Sequence, residues 1–354
     1  MPGRPRKEIV DATEPGFYHC YSRCVRRAFL CGEDTYAQKN YDHRKDWIET
    51  RLKFLASQMA IEVTVTAVMG NHFHSIIKNR PDLVADWSER EVAVRWLRVC
   101  PGERQLNPSA PPIKPTKQQI DELLGDPVKL AKCRERLASL SWLMKLLKEP
   151  IAKCANAEDD CKGTFWDGRF KSVRLLDIYS LVLCSLYVDL NPIRAKQAKT
   201  PETSLHTSVY WRIQARLARS TPAQQEVKET DPPADPLAAS WLTPIEEGAD
   251  PPDGPQSEQG RRATDQGFLP MSLEKYLVLV EGSGRQLKAG KRGVIPGDLP
   301  PILTRLNLPV DHWLEAIESF QDCFGDFAGR PETLRAHAAK TGLRWIRGCG
   351  RVCN

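Results

Sequence analysis

Ile61-Glu62-Val63-Thr64-Val65-Thr66-Ala67-Val68-Met69 runs directly into Gly70-Asn71 and then His72-Phe73-His74-Ser75-Ile76-Ile77-Lys78, and no other stretch constrains the fold as strongly. The first run alternates and is rich in β-branched residues, so it reads as a strand; Gly-Asn is a hairpin-type turn, and the second run is the return strand. Successive side chains on a strand leave opposite faces, so His72 and His74 project together while Phe73 turns into the core. Two neutral imidazoles one strand step apart suit a single divalent metal and leave room for a third ligand and a substrate oxygen. The same pair also reads as two solvent-facing histidines on an amphipathic strand. What favours the first reading lies far downstream.

The flanking sequence supplies the rest of a sheet. Gly16-Phe17-Tyr18-His19-Cys20-Tyr21-Ser22-Arg23 predicts a first strand, with Tyr18, Cys20 and Ser22 on one face and Phe17, His19, Tyr21 and Arg23 on the other. Trp47, Ile48, Leu52, Leu55 and Met59 recur at helical spacing and predict an amphipathic helix over 40–60. Prolines between 100 and 118 exclude a regular element there. Thr116 with Gln119 resembles a capping box, and Asp126-Pro127 suits an N-cap and first helical position; residues 80–135 are an elaboration on the core. A long amphipathic helix over 136–157 follows, which Pro150 should kink or split. A short strand is predicted over 172–176, then a helix from the N-cap Asp177 to about Asp189, ended by Pro192. Residues 205–220 read as a basic helix.

These elements give an expected division. Residues 1–15 read as a flexible basic arm, 16–220 as the main α+β domain, and 221–266, dominated by Pro, Asp, Glu, Gln and Gly, as a disordered linker. Residues 267–354 carry an amphipathic helical series, over 273–281, 300–306, 311–324 and 331–347, sufficient for a small helical domain. No apolar run approaches the ~20 residues of a membrane span and no secretory signal opens the chain, so no membrane partner and a cytoplasmic location are expected. Eleven cysteines without paired C-x-x-C units read as small buried hydrophobes or free thiols rather than a structural zinc site. The net charge of +6 is modest, but its basic clusters are separated by folded segments, as on a polyanion-tracking surface.

The helix ending at Asp189 closes in Leu186-Tyr187-Val188-Asp189-Leu190-Asn191-Pro192-Ile193-Arg194. Tyr187 and Asn191 are four apart and share a face if the last turn persists past Leu190. An amide oxygen there could be the third ligand of a hard metal already held by His72 and His74, with a phenol one turn away above a bound substrate. Attack by such a phenol on a phosphodiester conserves the bond energy in a phosphotyrosine link. The plain alternative is that Tyr187 is a core anchor with a wet hydroxyl.

Together, His72-Phe73-His74, Phe165-Trp166-Asp167-Gly168-Arg169-Phe170, Tyr187-Val188-Asp189-Leu190-Asn191-Pro192 and the opening Tyr18-His19-Cys20-Tyr21-Ser22-Arg23 resemble the single-tyrosine HUH transposases, most closely the REP-associated tyrosine transposases. The resemblance covers roughly 15–215, and 270–350 resembles, more weakly, a helical extension found in some members. It implies a ferredoxin-like antiparallel sheet with helices and a C-terminal helical domain. It also implies cleavage and rejoining of single-stranded, hairpin-containing DNA with Mg²⁺ or Mn²⁺ through a 5′-phosphotyrosine intermediate. On that pattern His72, His74 and Asn191 are metal ligands and Tyr187 is the nucleophile. The turn before the histidines usually reads Pro-Asn in the family and is Gly70-Asn71 here, which glycine forms at least as readily.

For DNA contact the sequence offers Arg23, Arg26 and Arg27 after the first strand, and Arg169, Lys171, Arg174 and Arg194 further on. Trp166 and Phe170 are candidates for stacking unpaired bases or, equally, for a hydrophobic clip that holds the loop to the core, the clip being favoured for Phe170. In the C-terminal region Arg285, Lys288, Lys291 and Arg292 form a dense basic loop. The expected partner is single-stranded or hairpin DNA, bound by a monomer or a homodimer. Two other readings stay open: a catalytically silent structured-DNA-binding protein of the same fold, and a metal-dependent phosphoesterase.

Overall fold

The computed structural model describes residues 5–25, 32–34, 38–102, 112–219, 235–247, 262–286, 325–343 and 346–347. Its centre is a five-stranded sheet whose middle strand, β1 (Gly16–Arg23), is the most N-terminal in the chain. A short hairpin of β2 (Glu33–Asp34) and β3 (Lys39–Asn40) lies apart from the sheet. The principal hairpin is β4 (Ile61–Val68) with β5 (His72–Asn79), and β6 (Lys171–Leu175) and β7 (Phe327–Ala328) complete the order β4-β5-β1-β6-β7. All neighbours are antiparallel except β6 and β7. The α+β class expected from the sequence is the class observed.

Helices cover both faces. On one lie α2 (His43–Gln58) and α7 (Leu140–Glu158), with Tyr18, Cys20, Ile61, Val63, Phe73 and Ile77 beneath them. On the other lies α8 (Ile178–Asp189), packed against Val65, Ala67, Ile76 and Val173. The alternating run 61–67 would put Ile61, Val63, Val65 and Ala67 on one face. A bulge between Val63 and Val65 reverses the parity, so the first two pack towards α2 and the last two towards α8. A segment that reads as one-sided thus feeds both cores.

The elaboration between the hairpin and β6 follows its local signals. After α3 (Pro81–Asp86) and α4 (Glu89–Val99), α5 (Lys117–Leu124) opens with the Thr116/Gln119 capping box, and α6 (Pro127–Leu137) with Asp126 as N-cap and Pro127 at its first position. Ser139 caps α7 separately, so the predicted start at 136 belongs to α6, and α7 continues as one helix through Pro150. Residues 103–111 of the Pro-rich stretch lie outside the described residues.

Two expectations about chain organisation change. Residues 5–15, read as part of a flexible arm, hold a helical turn α1 (Arg6–Ile9) with Ile9 buried. Beyond it the Asp11 amide donates to the Tyr18 hydroxyl (3.0 Å), and the Asn79 side-chain amide donates to the Asp11 carbonyl (2.9 Å). Two apolar residues, Ile9 and Val10, and a few hydrogen bonds to the backbone dock the segment, a signal that basic composition hides. The described parts of the expected linker also carry core residues: Trp241, Leu242 and Ile245 are buried, as are Phe268 and Leu269 just beyond it. There the Thr243 amide donates to the Val63 carbonyl (2.9 Å), and Arg212 Nη2 donates to the carbonyls of Thr64 (2.6 Å) and Thr243 (2.9 Å), which covers the outer edge of β4.

The described C-terminal residues share this core rather than forming a helical domain of their own. β7 extends the sheet beyond β6, with the Leu176 amide donating to the Ala328 carbonyl (2.9 Å). α9 (Asn191–Arg194) and α10 (Ser208–Arg219) follow α8, and α11 (Leu273–Gln286) packs on it. α12 (Pro331–Thr341) ends at a left-handed Gly342 (φ +68°) and buries Leu334 in the same cluster. Amphipathic spacing reports that a face must be buried, not which surface buries it. The expected helices over 300–306 and 311–324 lie outside the described residues. Among those that are described, no helix is long and apolar enough to cross a membrane.

The tie between α11 and α8 is specific. Asp189, fully buried at the end of α8, accepts from the Tyr276 hydroxyl (2.6 Å), the Ser208 hydroxyl (2.6 Å) and the Val209 amide (3.1 Å). Tyr276→Phe leaves the shape of the core unchanged and removes one donor from a buried carboxyl group. Urea unfolding of that variant should show a stability loss of about 1–3 kcal/mol; a change within ~0.3 kcal/mol would mean that the bond contributes nothing net.

Candidate functional site

The candidate site forms where one end of the β1–β5 pair meets the C-terminal turn of α8. Alternation on β5 sends Phe73 into the α2-side core and leaves His72 and His74 on the opposite face, their ring centroids 4.9 Å apart. β1 lies beside β5 with Tyr21 opposite His74 and Arg23 opposite His72. The turn between the histidine strand and β4 is closed by the Met69 amide donating to the His72 carbonyl (2.8 Å), and tied to β1 by the Cys24 amide donating to the Asn71 carbonyl (2.9 Å).

α8 delivers Tyr187 to the same face. Leu190 keeps right-handed helical angles between α8 and α9, so Asn191 continues the surface of Tyr187. Pro192 sits in the first turn of α9, where its missing N–H is not needed. The Asn191 side chain hydrogen-bonds the Tyr187 hydroxyl. The Tyr187 ring stands edge-on to two imidazoles, 5.5 Å from His74 at 86° and 5.9 Å from His19 at 76°. His72, His74, Tyr187 and Asn191, singled out from separate stretches of sequence, therefore converge.

Sequence reasoning missed His19 and Tyr21 as members of the site. His19 Nε2 lies 3.0 Å from His74 Nδ1, and the His19 ring stacks on both His74 (5.1 Å) and Tyr21 (5.3 Å). The shared face of His19 and Tyr21 was legible from alternation. What was lacking was the β1–β5 register that sets them against His74.

Burial sets the protonation states. It pulls His19 down to about 3, His72 to about 4 with help from the Arg23 cation, and His74 well below its ordinary value, with further lowering from His19, His72 and Arg194. All three are neutral near pH 7, the form that a metal requires of an imidazole. His72 Nδ1 lies 2.6 Å from Asn71 Oδ1, so Nδ1 carries the proton and Nε2 the lone pair. His74 Nε2 is buried without a hydrogen-bond partner. Two neutral imidazoles, one with an orphaned buried nitrogen, fit a divalent cation. Among the described residues no group of three or more His, Cys, Asp or Glu could hold a metal, so any further ligand is of another kind, such as the Asn191 amide oxygen or substrate.

The nucleophile candidate is set against its own ionisation. Tyr187 is 8% exposed, and burial pushes its phenol up to about 12, while the Arg194 guanidinium, 5.4 Å from the ring, and the Asn191 hydrogen bond act the other way. At pH 7 only about one phenol in a hundred thousand would be ionised at rest.

The predicted DNA-contacting residues divide. Arg23, Arg169, Lys171 and Arg194 are exposed. Arg23 and Arg194 border the histidines and Tyr187, Lys171 pairs opposite Tyr21, and the loop carrying Arg169 is held to the Arg23 carbonyl through the Asp167 amide (2.7 Å). Arg174 does not join them: paired opposite Tyr18, it leaves β6 on the other face, 3.8 Å from Asp11. Trp166 is also a correction. It is 6% exposed, packs on Phe73, and its indole N–H donates to the Lys148 carbonyl (2.9 Å), so it clips the 165–170 loop to the core and has no open face for a base. Phe170 is buried, as expected of a clip. Arg285 falls in the last turn of α11, and Arg26, Arg27, Lys288, Lys291 and Arg292 lie outside the described residues.

His19 makes a pH prediction. A neutral imidazole whose folded value lies below its ordinary 6.5 contributes stability that is complete above pH 6.5 and lost as the pH falls towards about 3. Denaturant titrations from pH 7 to pH 4 should show a loss of roughly 3 kcal/mol from His19 alone, and His19→Gln should reduce that slope. An unchanged slope would mean that another group carries the acid sensitivity.

No protein-family model and no curated protein matches the chain. Among solved structures, a REP-associated tyrosine transposase bound to a REP hairpin is similar over 62% of this chain and 90% of its own, at 12% identity and a TM-score of 0.32. A likeness at that level carries no weight beyond the geometry itself.

Proposed function

We propose that this protein is a DNA strand transferase of the single-tyrosine type, which nicks and rejoins single-stranded, hairpin-containing DNA. The observation that carries the reading is the meeting of Tyr187 and Asn191 with His72 and His74 on one face, at the end of the β1–β5 pair. The motif resemblance of residues 15–215 supports it independently. His72, His74 and the Asn191 amide would hold Mg²⁺ or Mn²⁺, which supplies polarisation of the scissile phosphate and alignment of the bond to be broken.

Tyr187 Oη attacks the phosphorus, a Tyr–O–P bond forms, and the bond from phosphorus to the upstream 3′ oxygen breaks. The phenolic proton passes to solvent, and the leaving 3′ oxygen takes up a proton to become a free hydroxyl. Because burial keeps the phenol neutral at rest, loss of its proton accompanies attack, and Arg194 stabilises the charge that develops. Attack by a 3′ hydroxyl on the phosphotyrosine reverses the step and rejoins a strand. Arg23, Arg169 and Lys171 supply exposed positive charge for the backbone.

The test is incubation with Mn²⁺ and end-labelled hairpin oligonucleotides. The expected result is a protein–DNA adduct that survives denaturation and is absent from Tyr187→Phe, which still binds DNA. Cleavage without an adduct would instead identify a phosphoesterase, and binding without cleavage a silent DNA-binding protein, the reading that the deep burial of Tyr187 favours. A second expectation is that His72→Ala with His74→Ala slows cleavage at least about a hundredfold and changes DNA affinity by no more than about threefold, because phosphate contacts carry most of the binding. Gel-shift titration checks this, and a collapse of affinity would make the metal part of the DNA-binding surface.

A further inference from the structure

We infer that α11 positions the turn that carries Tyr187 and Asn191, with Tyr276 acting on Asp189 and Gly284 on Leu190 as its positioning residues. This deepens the proposed strand transfer and rests on it only for the use made of that turn. Asp189 and Leu190 lie between the phenol and the amide of the site, and α11 holds both. The Tyr276 hydroxyl donates to Asp189 Oδ2 (2.6 Å). About two turns further along α11, a Cβ at Gly284 would lie 3.2 Å from Leu190 Cδ2, so the leucine occupies the room that the glycine leaves. Tyr276, Leu279, Val280 and Ser283 are buried at helical spacing, with Gly284 beside them. The first three join Leu186 and Leu190 in one apolar cluster.

The junction between α8 and α9 needs such support. Pro192 has no N–H to offer the Val188 carbonyl, so the backbone holds this junction less firmly than an unbroken helix would. The Leu190 amide donates to the Leu186 carbonyl (2.9 Å) and the Arg194 amide to the Leu190 carbonyl (3.0 Å), so Leu190 carries the continuity from one helix to the next. Displacing its side chain, or freeing Asp189, loosens the turn on which Tyr187 and Asn191 share a face. The histidines belong to a separate element, the β1–β5 pair, so a loosened turn moves the phenol relative to them.

Two variants of the full chain probe the two contacts well below their melting temperatures. Tyr276→Phe removes the hydrogen bond and keeps the ring. Gly284→Val puts a branched side chain where Leu190 sits, with a helix propensity no worse than that of glycine. Nuclear Overhauser contacts between tyrosine and histidine ring protons report the local geometry, with the His19–His74 contact as a reference in the same sample. In each variant the Tyr187–His74 contact should weaken relative to that reference. In the adduct assay, each should lower the maximal rate about 10–100-fold while the DNA concentration giving half of it stays the same. If the contact ratio or the maximal rate is unchanged, α11 only stabilises the fold and the inference falls; Tyr276→Phe, which preserves the packing, decides this alone should Gly284→Val not fold. If the contact ratio falls as expected but the wild-type protein forms no adduct, the positioning role stands and the strand-transfer function fails.

Discussion

β1 pairs with β5 so that Tyr21 faces His74 and Arg23 faces His72, and this register decides which side chains share the surface under α8. A slip of one residue would turn His72 and His74 towards α2 and bring Phe73 out beneath Tyr187. Phe73 on one face, packed against Trp166, and the His19–His74 contact on the other hold the pairing from both sides. The apolar half of the strand thereby specifies where the polar half points.

The second constraint is the helix that meets this strand pair. Every residue of α8 after Ile178 is buried, so its position is set by tertiary packing rather than by an amphipathic stripe. Asp189 fastens its end to α10 and α11 through Ser208, Val209 and Tyr276. Tyr187 and Asn191 flank that fastening in sequence, and the last turn that presents them is held where water would otherwise fray it. The cost is chemical. A phenol held this firmly in the core is driven away from ionisation, so the proposed use of Tyr187 as a nucleophile would depend on Arg194, Asn191 and a cation held by the two histidines.

Segments that look dispensable from composition close the sheet. Residues around Thr243 and the side chain of Arg212 take up the outward-facing carbonyls of β4, and β7 takes up the edge of β6. Open strand edges invite pairing with other chains. Covering them with chain from far along the sequence gives the C-terminal third a structural part in the fold that carries the site, beyond any contact with nucleic acid.

Much of this was readable from residues alone. Alternation and the Gly70-Asn71 turn define the histidine hairpin and the common side of His72 and His74, because a strand's period is a property of the backbone. Asp177, the Thr116/Gln119 pair and Asp126-Pro127 mark helix starts, since capping is a local hydrogen-bond requirement. Only the tertiary structure brings Tyr187 against His74, puts Arg174 on the far face, buries Trp166 and recruits His19. These outcomes follow from strand register, from a bulge that reverses the faces of β4, and from the partner each apolar surface finds, and long-range packing decides all three.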